Sequence, residues 1–85
     1  MAKLVFLGRL ADLAGRAEAE FGFSGPLDWL DVVQWLTDCF SEALGDAVRD
    51  PKVRVAQNGV ILTDREDLEL HNQDELAFLP PVSGG

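Results

Sequence analysis

The sequence predicts an α+β domain: a mixed sheet of four to five strands with one main helix packed on one of its faces. Three observations predict it. Short apolar runs with strand character, residues 3–7 and 76–79, stand at the two ends of the chain. Between them Trp29, Val32, Val33, Leu36, Phe40 and Ala43 recur at helical spacing, the mark of an amphipathic helix. Further on, Asn58-Gly59 is a favoured tight-turn pair set between apolar stretches. Eighty-five residues leave no room for a second core. A hydrophobic content of 47% is enough for a packed interior rather than a disordered chain.

Each element has its own warrant. Residues 3–7 form a first strand, with Leu4 and Phe6 on one face and Val5 and Leu7 on the other. Both faces are apolar, so either the strand is covered twice or one face meets a partner. Residues 8–15 hold Leu10 and Leu13 between polar residues, a connection able to carry a helical turn. Residues 17–23 form a second strand, although alanine and glutamate are poor strand formers. Ser24-Gly25-Pro26 is a turn signal. Asp28 is a good N-cap, Asp31 suits the first turn of a helix, and Gly45 is a natural stop. Trp35 and Leu30 fall on opposite flanks of the apolar stripe. Trp35 is then either a boundary residue folded against the core or a contact for a partner or second copy.

After a loop over residues 46–51, Val53 and Val55 mark a third strand, and residues 60–62 return as a short one. Leu68 and Leu70 anchor the acidic stretch 63–72 to the body. The last strand stops at Pro80 and Pro81, which have no N–H to give a sheet. Strand, strand, helix, strand, short strand, strand is the β-grasp order. If Phe6 and Phe78 face the helix, alternation leaves Leu7, Leu79 and Ile61 as an exposed apolar patch beside the chain end. Such patches commonly mark protein contacts; the plainer reading is a few scattered exposed side chains.

Composition removes several function classes. A formal net charge of −8 argues against nucleic acid, whose phosphates repel such a surface. It fits a partner with a basic groove, or solubility alone. No apolar run approaches the ~20 residues that span a bilayer, and no signal-peptide pattern opens the chain, so no membrane role and a cytoplasmic location are expected. One cysteine makes neither an internal disulfide nor, alone, a zinc site, and the iron–sulfur ligand set is missing. Cys39 falls at the edge of the helical stripe, where a buried structural thiol is the common case. His71 stands in a polar stretch as a solvated loop residue. Asp64, Glu66, Asp67 and Glu69 lack the spacing of a calcium loop, and Gly8 and Gly15 lack that of a phosphate loop. No metal is expected.

What remains is the tail. The body is expected over residues 1–79 and a flexible tail over 80–85. Pro80 and Pro81 favour an extended course that aims the chain end away from the body. Gly84 and Gly85 have no Cβ and can thread a slot closed to other residues.

The ending DELAFLPPVSGG, the opening KLVFLGRLADLAG and Val55-Ala56-Gln57-Asn58 resemble the small subunit of molybdopterin synthase, the MoaD-type sulfur carriers of the MoaD/ThiS family. The resemblance implies a ubiquitin-like β-grasp fold and no catalysis by this chain alone. It implies that a MoeB-like adenylating enzyme uses ATP to turn Gly85 into a glycyl adenylate. A persulfide donor (a sulfurtransferase) then makes it 1-thioglycine, and no cofactor is bound permanently. The tail would enter a MoaE-type large subunit, in a heterotetramer, and give sulfur to cyclic pyranopterin monophosphate. Gly85 would carry the thiocarboxylate, Gly84 give clearance, Val82 and Ser83 line the insertion groove, and Pro80 and Pro81 aim the tail. Leu7, Ile61 and Leu79 would meet the partners. The alternatives are a carrier for thiamine thiazole synthesis, a ubiquitin-like modifier of lysines, and a plain interaction domain.

Overall fold

The computed structural model describes residues 1–81. Five strands form one sheet: β1 (Ala2–Phe6), β2 (Glu18–Phe21), β3 (Arg54–Gln57), β4 (Val60–Ile61) and β5 (Glu75–Leu79), in the spatial order β2-β1-β5-β3-β4. The first and last strands lie side by side and parallel, Leu4 opposite Leu76 and Phe6 opposite Phe78. The other three pairings are antiparallel. This is the expected mixed sheet, and both terminal strands are interior to it.

Alternation then sorts the side chains. Leu4, Phe6, Leu76, Phe78 and Val55 turn to one face and are almost wholly buried. The Phe6 and Phe78 rings stack with centroids 5.6 Å apart, and Phe40 meets Phe6 edge-on at 5.5 Å. Such aromatic pairs add about 0.5–1.5 kcal/mol beyond the burial of their area. Over this face lies α2 (Trp29–Cys39), which buries Val32, Val33 and Leu36. Its start is a complete capping box: the Asp28 carboxylate accepts from the Asp31 N–H at 2.9 Å, and Asp31 accepts from the Asp28 N–H at 3.2 Å. Trp35 takes the boundary position, half-buried and stacked on Phe21 at 4.1 Å. Leu30 on the other flank is 75% exposed.

The single helix expected to end at Gly45 is two helices. α2 closes at Phe40, and Ser41 starts α3 (Glu42–Arg49) by accepting the Leu44 N–H on its hydroxyl at 3.1 Å. The break re-phases the stripe. Leu44 and Val48, four residues apart, are buried in place of Ala43, which is exposed. Gly45 is a site of close approach, because a Cβ there would collide with Thr37 Oγ1 on α2. A third short helix, α1 (Arg9–Ala14), fills the β1–β2 connection and buries Leu10. Cys39, expected to be buried, is exposed. The first strand begins one residue earlier than expected, and the second is shorter.

Two polar devices fasten the long connection between β4 and β5. Arg65 donates to the backbone carbonyls of Val48, Asp50 and Val53, and its guanidinium lies 5.1 Å from the centre of the Trp29 ring. It ties a 3₁₀ turn (Arg65–Asp67) to the end of α3, and burial pulls its pKa below the ordinary value. Leu68 and Leu70 are buried, as expected of anchors. At the other end, Asp74 accepts from Asn58 Nδ2 and Gln57 Nε2 at 2.9 Å and from the His71 N–H at 2.8 Å. Asn58 (φ 52°) and Gly59 (φ 83°) form the left-handed pair of the β3–β4 turn. These bonds, Asn58's first, hold the Asp74 carboxyl below its usual pKa.

Two outcomes are expected in denaturant unfolding. Gly45→Ala forces a Cβ into Thr37 and lowers stability by about 1–3 kcal/mol; Thr37→Ala in the same chain recovers part of the loss. Asp74→Asn replaces one acceptor oxygen by a donor and costs about 1–3 kcal/mol at neutral pH. Because the folded-state pKa of Asp74 is depressed, its contribution is present above the unfolded value of ~3.9 and fades as pH falls through the folded one. The gap between wild type and Asp74→Asn therefore closes in acid, and a constant gap refutes the assignment.

Candidate functional site

Parallel pairing of β1 and β5 brings two chain segments out at the same end of the sheet. Leu7 and Gly8 follow β1 there, and Pro80 and Pro81 follow β5. The Leu7 N–H donates to the Phe78 carbonyl at 3.2 Å, extending the pairing to its limit. Gly8 then turns the chain into α1 with φ 56° and ψ −131°, a conformation essentially restricted to glycine. A Cβ on Gly8 would stand 2.9 Å from Pro80 Cγ. Pro80 thus rests directly on the Gly8 backbone, half-buried, while Pro81 is exposed. Proline fixes its own φ, so this contact sets the direction in which the chain leaves the body.

On either side of the two prolines lies a groove. One, of about 360 Å³, is lined by Lys52, Arg54, Leu79, Pro80 and Pro81. The other, of about 120 Å³, is formed where Arg9, Leu10 and Leu13 approach Asp50 and Val53 beside the same prolines.

Among the described residues no helix covers the sheet face opposite α2. Its middle is a cross-strand row, Val5 to Ala77 to Ala56 to Ile61, each paired with the next. The next row toward the exit pairs Leu79 with Arg54, and alternation carries Leu7 to the same side. Leu7 is 41% exposed and Ile61 43%, whereas Leu79 is half-buried against the prolines. The three residues expected to form a patch therefore share one face, around the small side chains of Ala56 and Ala77. At the far end of this face stand Glu20, Lys3 and Glu75, and Glu18 flanks Val5 in the middle row; Lys3 Nζ lies 3.0 Å from Glu18 Oε1, which raises the ammonium pKa.

Val82, Ser83, Gly84 and Gly85, the expected insertion and reaction residues, lie outside the described residues, as does most of the expected tail. Pro80 and Pro81 stand where the strand ends. Among the described residues no cluster of three metal-binding side chains occurs. Cys39 and His71 are both exposed, and His71 lies 3.4 Å from Glu69. No described helix is long and apolar enough to cross a membrane. Sequence reasoning missed Gly8 and the three cations around the exit. The available signals were a glycine directly after an alternating strand and the Lys52-x-Arg54 alternation beside it.

A mixed sheet of order β2-β1-β5-β3-β4 with helices over one face is the ubiquitin-like β-grasp fold. The chain belongs to the ThiS family, whose model matches residues 4–85. No curated protein gives a significant match. Among solved structures, a protein assigned as molybdopterin converting factor subunit 1 from Pyrococcus furiosus is 25% identical, with 95% of this chain and 97% of that one covered and a TM-score of 0.76. The small archaeal modifier protein 1 of Methanosarcina acetivorans is 26% identical, with 99% and 95% covered and a TM-score of 0.75. Its counterpart from Haloferax volcanii is 24% identical, with 99% and 98% covered and a TM-score of 0.75, a likeness of fold. These relatives share the MoaD/ThiS type of ubiquitin-like β-grasp.

Gly8→Ala is expected to destabilise the domain by about 1–3 kcal/mol in denaturant unfolding, through its backbone conformation and the Pro80 contact together. Pro80→Ala in the same chain removes the contact but not the backbone term. The double variant should therefore be more stable than simple addition of the two losses; strict additivity would show that Gly8 and Pro80 are not coupled.

Proposed function

We infer that this chain is a sulfur carrier, the small subunit of molybdopterin synthase, with Gly85 as the reacting residue. The observation that carries the reading is the exit of the chain from a central strand at Pro80-Pro81, beside an open sheet face. It is supported by a family match that runs to Gly85 and by likeness to a molybdopterin converting factor subunit. A carboxylate is a poor electrophile and ionised at neutral pH. An adenylating enzyme corrects this: the Gly85 carboxylate attacks the α-phosphorus of ATP and pyrophosphate leaves. The terminal sulfur of a persulfide then displaces AMP from the acyl carbon. A second thiol cleaves the resulting acyl disulfide, taking the donor sulfur into a new disulfide and leaving –COS⁻ on Gly85. Carried into a large subunit, that sulfur attacks a carbon of the pyranopterin with loss of an oxygen as water, and hydrolysis of the resulting thioester leaves the sulfur on the pterin and returns the Gly85 carboxylate. The body of the domain supplies recognition: Leu7, Ile61 and Leu79 with the alanine row make an apolar docking face, and Gly8 with Pro80 sets the direction of the tail.

The same adenylate could instead be taken by a lysine. Likeness to the Methanosarcina acetivorans modifier favours this second reading as much as the first. Service to thiamine thiazole synthesis would use the same thiocarboxylate.

Mass spectrometry of the tryptic peptide 66–85 after incubation with an adenylating enzyme, ATP and a persulfide donor decides the first step. The peptide contains no Met, Cys or Trp, so oxidation does not imitate the exchange. Replacement of one terminal oxygen by sulfur is the expected result. An unmodified tail, with an enzyme active on another carrier, would overturn the sulfur-carrier reading. Dithiolene formation on adding the large subunit and pyranopterin, against lysine-linked conjugates in cell extract, separates carrier from modifier.

A further inference from the structure

The cations of this acidic chain are unevenly placed. Of seven Lys and Arg residues, Lys3 is paired with Glu18 and Arg65 is turned onto backbone carbonyls. Arg9, Lys52 and Arg54 line the two grooves that flank Pro80 and Pro81. All three are exposed, and none makes a salt bridge among the described residues. Among the described residues Asp50 is the one carboxylate lining either groove, and its Oδ1 already accepts the Lys52 N–H at 2.9 Å. At the other end of the open face stand Glu20 and Glu75 with Lys3, whose ammonium is taken up by Glu18 beside Val5. The face changes sign along its length, basic where the chain leaves.

The reach of the tail gives this collar a neighbour. Four residues follow Pro81 in the sequence. Fully extended they span at most about 14 Å, at ~3.3–3.6 Å each. An enzyme that encloses Gly85 must therefore bring the mouth of its channel to within that distance of Pro81, against Arg9, Lys52 and Arg54. The Debye length at physiological salt is about 8 Å, shorter than every dimension of this 39 × 26 × 18 Å body. The mouth thus meets the local positive potential rather than the net charge of the whole domain.

We propose that Arg9, Lys52 and Arg54 form a docking collar for carboxylates at the mouth of the tail channel of the adenylating enzyme, which is the first partner to receive the unmodified tail. The proposal rests on the sulfur-carrier reading. Charged groups at an interface rim act mainly on encounter and on the rejection of wrong partners. The collar accordingly sets the apparent affinity of the carrier and its salt dependence, and leaves the chemistry at Gly85 alone.

The test is ATP–pyrophosphate exchange by the adenylating enzyme with the full chain as substrate. The variants are Lys52→Glu/Arg54→Glu, Lys52→Gln/Arg54→Gln, and Glu20→Lys as a control at the far end of the same face. At about 0.05 M salt the double reversal should raise KM about tenfold or more with kcat within about twofold, and the neutral pair should fall between it and wild type. At about 0.5 M salt, where the Debye length is only a few Å, the gap should narrow and Glu20→Lys should match wild type throughout. An unchanged KM in the double reversal overturns the collar. So does a loss that high salt leaves intact while the melting temperature drops, which marks a folding effect. Exchange with wild type but no collar effect leaves the sulfur-carrier reading standing. No exchange with wild type, by an enzyme active on another carrier, brings down both.

Discussion

The pairing of β1 with β5 is the constraint on which the rest of the structure depends. It joins the two ends of the chain at the centre of the sheet and stacks Phe6 on Phe78. It also gives α2 the apolar floor on which Val32, Val33 and Leu36 are buried. Because the pairing is parallel, both segments leave it at the same end, so the β1–α1 corner and the β5 exit must share space. Glycine at position 8 is the local solution: its backbone turns where other residues resist, and Pro80 lies where a Cβ would be. The placement of the site therefore follows from strand direction rather than from any catalytic side chain.

In the proposed function the open face and the exit divide the work of recognition. The row from Val5 to Ile61 is apolar and flat in its middle, because Ala56 and Ala77 are small. Arg54 lies one row nearer the exit, and Glu20 and Glu75 one row farther from it. An apolar centre supplies burial, while the cations at the exit fix orientation and exclude poorly matched surfaces. A carrier that must visit more than one enzyme gains from this arrangement, since each visit can use the same centre and differ at the margin.

Much of this was legible in the sequence because it rests on local rules. Alternation in β1 and β5, the Asp28 N-cap, the Asn58-Gly59 turn and the proline stop depend on few residues each, and the structure has them where the rules place them. The helix break was misread because glycine has two uses. Gly45 looked like a C-terminal stop, whereas its role is to admit Thr37 from another turn of chain, a fact of tertiary packing. Ser41 carried the true signal, a capping hydroxyl three residues before Leu44. Arg65 was invisible for a similar reason: nothing near it in sequence says that its partners are the carbonyls of Val48, Asp50 and Val53. Cys39 closes α2 at the edge of its apolar stripe, where an angular count does not decide between burial and exposure. The collar was hidden in a composition that is acidic overall.

The order of the sheet has a mechanical side. Tension applied to the tail and resisted near the N-terminus pulls β5 and β1 in opposite directions along their shared axis. The hydrogen bonds between them, from the Lys3 N–H to Asp74 through to the Leu7 N–H to Phe78, then bear the load together rather than opening one by one. A handle attached to an edge strand such as β4 would instead peel the sheet. A tail grown from this central strand can be gripped, and drawn out of one protein into another, with the body behind it left folded.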